Sequence, residues 1–170
     1  MAKNKTTLGM KWYKFTIYFA LFLGALSHLV MGFQYVSGMI YAMQSNYEVT
    51  AQQVYAYYGK GLQVTDIVYG VILFALAVLA IIVRQKLAKF RPDAIKFLII
   101  FYAINIAATA IYSIVSAIII PEQSALTSLG GVAPSIVIVI INVMYFKKRV
   151  HLFSGEAQPA ETITDCIPEA

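Results

Sequence analysis

Four apolar runs divide the chain, at about residues 15–41, 64–83, 97–120 and 126–146. An α-helix needs roughly 20 such residues to cross a hydrocarbon core about 30 Å thick. The pattern predicts an all-α polytopic membrane protein, a four-transmembrane-helix bundle. Residues 1–14 precede it and a polar, acidic tail at 149–170 follows it, where disorder is the expectation. The first run is longer than a crossing requires, so it is expected to tilt or project.

Between the first two runs, the stretch from Thr50 to Gly59 reads as a short helix, with Thr50 as its cap and Gly59 as its stop. Tyr47, Tyr55, Tyr57 and Tyr58 give it an aromatic face suited to lipid headgroups. Trp12, Tyr13 and Tyr18 stand where an aromatic belt would lie at the other membrane surface. Arg91, Pro92 and Asp93 break the chain between the second and third runs, and Pro121 ends the third.

Charge gives the bundle a direction. Twelve of the 13 Lys and Arg residues fall in three segments: Lys3, Lys5, Lys11 and Lys14; Arg84, Lys86, Lys89, Arg91 and Lys96; and Lys147, Lys148 and Arg149. Basic loops stay cytoplasmic during insertion, so both termini are expected inside. Lys60 is the exception, in the first outer loop. The net charge of +5 belongs to span ends facing anionic lipid, and no nucleic-acid partner is expected. Composition agrees, at 60% hydrophobic and 12% charged, against roughly 25% charged in soluble domains. The apolar run after the basic N-terminus far exceeds a cleavable signal core of roughly 7–15 residues, so an uncleaved first span is expected. One cysteine, Cys166, allows neither an internal disulfide nor a redox pair, and it stands fifth from the end where prenylation needs it fourth.

Chemistry, if present, must lie with polar residues inside the spans, where they are costly unless they face the bundle or a wet cavity. Ala20, Gly24, His28 and Gly32 share one face of the first span. His28 is either a titrating or ligand-binding group or, as favoured here, a neutral ring hydrogen-bonded across a helix interface. Gln34, with Ser27, Met31 and Gly38, marks a second face, read as another packing seam. The third span carries a stripe of Tyr102, Asn105, Thr109, Tyr112 and Ser116, and the fourth carries Ser135 and Asn142. These read first as interhelical hydrogen bonds and second as a path for a small solute. Asp66 is expected in the first turn of the second span, where the helix dipole favours an anion and Lys60 is near enough to pair with it.

No catalytic motif, metal set or cofactor site emerges, and no cofactor is expected. Quinone-linked thiol oxidoreductases need paired cysteines, small multidrug exporters a glutamate in the first span, membrane glutathione transferases Glu and Arg within their spans, and membrane metallohydrolases clustered His, Asp and Glu. The sequence lacks each pattern. A haem site would call for a second intramembrane histidine facing His28, and the other histidine is His151.

The segments KWYKFTIYFALF at residues 11–22 and DIVYG at residues 66–70 resemble a group of small four-span bacterial membrane proteins, over roughly residues 11–148. The resemblance implies the topology and a bacterial inner-membrane location, but no activity and no site residues. The lack of catalytic patterns and the many small residues at packing spacing give the expectation of a non-enzymatic membrane protein working through helix–helix or lipid contacts, with the bilayer and a second copy or another membrane protein as partners. The alternative is a small oligomeric transporter or channel lined by His28, Asn105, Thr109, Asn142 and Asp66.

Overall fold

The computed structural model of the chain describes residues 11–45, 48–120 and 132–153. Among these residues every regular element is helical. Lys3 and Lys5, Tyr47, the loop at 121–131 with the expected start of the fourth run, and the tail with Cys166 lie outside them.

The first rod opens as α1 (Lys11–Phe15), widens into a π-helical turn (Thr16–Ala20) and continues as α2 (Leu21–Ser37). In the π turn the Leu21 N–H reaches back five residues to the Thr16 carbonyl. The wider turn accompanies two anchors. Thr16 Oγ1 donates to the Trp12 carbonyl at 2.9 Å, and Arg84 Nε donates to the Ile17 carbonyl at 3.1 Å. Such a bulge inserts a residue into the helical ladder, and here Thr16 and Ile17 are both buried.

The rod breaks at Gly38, whose φ of 74° is left-handed. A Cβ there would stand 2.4 Å from the Ala51 side chain, so glycine is required twice over. The turn releases α3 (Met39–Gln44) and brings α4 (Ala51–Tyr58) back over the end of the bundle. Thr50 caps α4 in a capping box: its backbone N–H donates to Gln53 Oε1 at 2.8 Å, and the Gln53 N–H donates to Thr50 Oγ1 at 3.4 Å. Gly59, with φ 93°, turns the chain into the next helix.

That helix, α5 (Lys60–Ala88), is the axis of the fold. Buried residues recur at Leu62, Asp66, Tyr69, Leu73, Leu76, Ala80, Val83 and Leu87, alternating steps of four and three. A 3.5-residue period is the seam of two helices packed along their length. The partner is α2, which runs antiparallel: Gly32 meets Gly70, and Ile17 meets Arg84. At the glycine crossing the backbones nearly touch. A Cβ on Gly70 would stand 2.6 Å from Val36 Cγ2 and 2.9 Å from the Gly32 carbonyl oxygen.

α5 ends in a Schellman closure, with the Arg91 N–H on the Lys86 carbonyl and the Phe90 N–H on the Leu87 carbonyl. Phe90 takes the left-handed position (φ 49°) usually given to glycine, and its ring stacks on Tyr13 at 5.2 Å. Lys86 pairs with Asp93 and sits 4.0 Å over the Phe97 ring. Its ammonium holds the Asp93 carboxyl below the usual carboxylate range. α6 (Ala94–Ile119) then runs antiparallel to α5, and α7 (Val132–Lys147) packs on α6 before a 3-10 turn at Val150–Phe153.

Three helical stretches, Lys11–Ser37, Lys60–Ala88 and Ala94–Ile119, are long and apolar enough to cross a membrane; the described apolar part of α7, Ser135–Lys147, is shorter. Large apolar side chains face outward, among them Val64 at 59% and Val71 at 56% exposure. Such an exterior suits lipid rather than water.

The glycine crossing gives a paired prediction. Gly70→Ala should destabilise the protein by about 1–3 kcal/mol through overpacking. Gly24→Ala adds a methyl that meets nothing within 4 Å and should be neutral or mildly stabilising. Reversible unfolding in mixed micelles checks both, and equal effects would contradict the close approach.

Candidate functional site

Asp66 organises one end of the bundle. It is the seventh residue of α5 and is 0% exposed. Its Oδ2 accepts hydrogen bonds from Tyr41 Oη at 2.6 Å and Tyr55 Oη at 3.0 Å. Its Oδ1 accepts from Tyr112 Oη at 2.8 Å. The three phenols come from α3, α4 and α6, so one carboxyl group ties four elements together. Burial, and after it the proximity of Asp66, pushes the Tyr55 phenol above its ordinary value, so Tyr55 stays a donor at neutral pH.

This corrects the expectation of a first-turn anion paired with Lys60. Six residues at about 100° each carry Asp66 some 240° around the helix from Lys60. Lys60 is exposed, and Asp66 points into the bundle. Among the described residues the ion pair formed is Lys86–Asp93.

Beneath Asp66 lies a tyrosine cluster. Tyr69 and Tyr112 stack at 4.2 Å, and Tyr35 meets both edge-on at 4.9 and 5.1 Å. Tyr69 Oη lies 3.3 Å from Thr109 Oγ1, which donates to the Asn105 carbonyl at 2.9 Å. One turn on, Asn105 Oδ1 lies 3.5 Å from His28 Nε2. The polar stripe of α6 thus faces α5 at its Asp66 end and α2 further along.

His28 Nδ1 donates to the Gly24 carbonyl of its own helix at 2.6 Å, while the polar group facing the ring across the helix interface is Asn105. With that nitrogen protonated, a neutral ring leaves Nε2 an acceptor facing Asn105 Oδ1, and turning the Asn105 amide end over end presents its NH₂ group as the donor instead. The Phe101 ring packs edge-on at 5.9 Å. Gly24 supplies a carbonyl here rather than a close helix approach, and within that face the backbone contact belongs to Gly32.

Asn142 lies toward the Arg84 end and does not reach Asn105. Its Oδ1 accepts from Trp12 Nε1 at 3.1 Å, and its Nδ2 donates to Tyr102 Oη at 3.1 Å and to the Ile138 carbonyl at 3.0 Å. Nearby, Tyr13 Oη donates to the Leu87 carbonyl at 2.5 Å, and the Tyr13 N–H donates to Tyr145 Oη at 3.1 Å. Trp12 and Tyr13, read from sequence as belt residues, fasten the first rod to α7 and α5. Ser116 is buried near the opposite end of α6. A cavity of about 50 Å³ opens between Asn105, Ile106, Thr109 and Ser135.

Sequence reasoning missed Tyr41 and Tyr55 as partners of Asp66. The available signal was the register of α5, since Asp66 falls on the same 4-3 repeat as its buried leucines. Within the predicted aromatic face of α4, Tyr57 does stay outward, at 78% exposure. No set of three or more His, Cys, Asp or Glu side chains among the described residues could hold a metal ion. No protein-family model, curated protein or solved structure matches the chain.

Each phenol adds a hydrogen bond worth about 1 kcal/mol or more. Tyr55→Phe should therefore loosen α4, raising amide exchange at residues 51–58 about fivefold while residues 69–87 keep their protection. Unchanged exchange in α4 would contradict the clamp.

Proposed function

We propose that this is a multi-pass protein of the bacterial inner membrane. Four helices cross the bilayer with both termini in the cytoplasm, Arg84 and Lys86 at the inner face and α3–α4 at the outer face. The protein acts without catalysis, as an accessory or structural component working through helix–helix and lipid contacts. The observation that carries this reading is the saturation of Asp66 by Tyr41, Tyr55 and Tyr112. A carboxyl group committed to three internal donors is built as a fastener, and removing such partners from a buried group costs several kcal/mol. His28, Thr109 and Asn142 have internal partners as well.

One observation favours the second reading, a small oligomeric transporter or channel. The cavity beside Asn105, Thr109 and Ser135 lies on the polar face of α6 and is large enough for water. The two readings part at His28, which stands next to that face. Under the fastener reading, His28→Ala lowers unfolding stability by about 0.6–2 kcal/mol, and vesicles carrying wild type or variant show the same passive proton and cation permeability. A pH-dependent flux present in wild type and lost in His28→Ala at unchanged stability would replace this reading with transport.

A further inference from the structure

Ser27 and Gln34 form a seam in the sequence that none of the described residues occupies. Ser27 is exposed and Gln34 half-buried, on the side of α2 turned away from α5. Among the described residues neither side chain has a hydrogen-bond partner. Their depth makes this costly. Ser27 lies ten residues, about 15 Å, beyond Ile17, whose carbonyl binds Arg84 at the inner end. That is the middle of a hydrocarbon core about 30 Å thick. Gln34 lies seven residues further and still within the core.

The spacing says what kind of surface this is. Leu23, Ser27, Val30 and Gln34 follow steps of four, three and four, the repeat that α5 uses for its own packing seam. Leu23 and Val30 are 46% and 49% exposed. Beside them an open groove of about 430 Å³ is bordered by Leu29, Phe33, Gln34, Met39 and Met43, leaving room for a neighbouring helix.

We infer that this seam is the contact surface for a second copy of the chain, packed as a parallel pair of α2 helices. Copies inserted in one orientation are related by a two-fold axis along the membrane normal, so each residue meets its own equivalent at equal depth. An amide suits that symmetry. It carries a donor and an acceptor, so Gln34 and Gln34 of the second copy form two reciprocal hydrogen bonds. Ser27 pairs likewise one heptad away, while Leu23 and Val30 supply the apolar contact. A polar side chain at one such position also fixes register and orientation. The inference rests on the proposed membrane-spanning role of α2 and names the partner of its helix–helix contacts.

The test uses the full-length chain with Cys166→Ser, carrying single cysteines in native membrane vesicles. Ser27→Cys and Val30→Cys should form oxidant-induced dimers, whereas Leu26→Cys and Phe22→Cys, away from the seam and the groove, should not. In the Ser27→Cys chain, Gln34→Leu should weaken association by about 5- to 30-fold in a dilution series, and Gln34→Asn should retain most of it. Dimers at all four positions or at none, or association indifferent to Gln34→Leu, would overturn the seam and leave the proposed topology standing. Ready labelling of Ser27→Cys by a membrane-impermeant maleimide would overturn both.

Discussion

A carboxyl group cut off from water must find its hydrogen bonds in the protein, and in this fold the donors for Asp66 come from three separate elements. That requirement organises the end of the bundle where α5 begins. It sets the rotation of α5, because the register that buries Asp66 also buries Tyr69, Leu73 and Leu76. It draws in α6 through Tyr112. It pulls α3 and α4 down through Tyr41 and Tyr55, which the left-handed turn at Gly38 makes geometrically accessible. The three bonds, at about 1.5–3 kcal/mol each if charge-assisted, match a desolvation cost of several kcal/mol. They therefore act mainly to specify the arrangement, while apolar packing along α2 and α5 provides the bulk of the contact.

The opposite end is held by different means. Trp12, Asn142 and Tyr102 form one chain of hydrogen bonds; Tyr13, Leu87 and Tyr145 form another. Arg84 reaches across to the π turn of the first rod. Between the two ends the α2–α5 interface is close-packed, and its tightest point is the glycine crossing of Gly32 and Gly70. Polar clamps at the ends with tight packing between them suit a helical assembly in lipid, where apolar contact alone discriminates poorly between alternative packings.

Much of this was legible in the sequence. Apolar runs with glycine and proline punctuation located the long helices, and Thr50 and Gly59 marked the bounds of α4, because these signals are local. The α6 stripe was visible because its helical spacing is unbroken. The Asp66 cage was not, since its donors lie 25 and 11 residues before it and 46 residues after it, and no local rule connects them. Proximity in sequence suggested Lys60 instead, and helical rotation defeats that pairing. The π turn was equally hidden, and one of its anchors is an arginine 67 residues from the carbonyl it binds. The Ser27–Gln34 face was seen as a seam, but only the packing of α2 on α5 reveals that it is turned outward.

The most direct test of this account is a double-mutant cycle between Asp66 and Tyr112, read by reversible unfolding in a bilayer-like medium. Asp66→Asn, Tyr112→Phe and the double variant would be compared with wild type. If the carboxyl–phenol bond holds α5 to α6, the two substitutions will be coupled by about 1 kcal/mol or more. Strictly additive effects, with α4 as well protected from exchange in Asp66→Asn as in wild type, would contradict it.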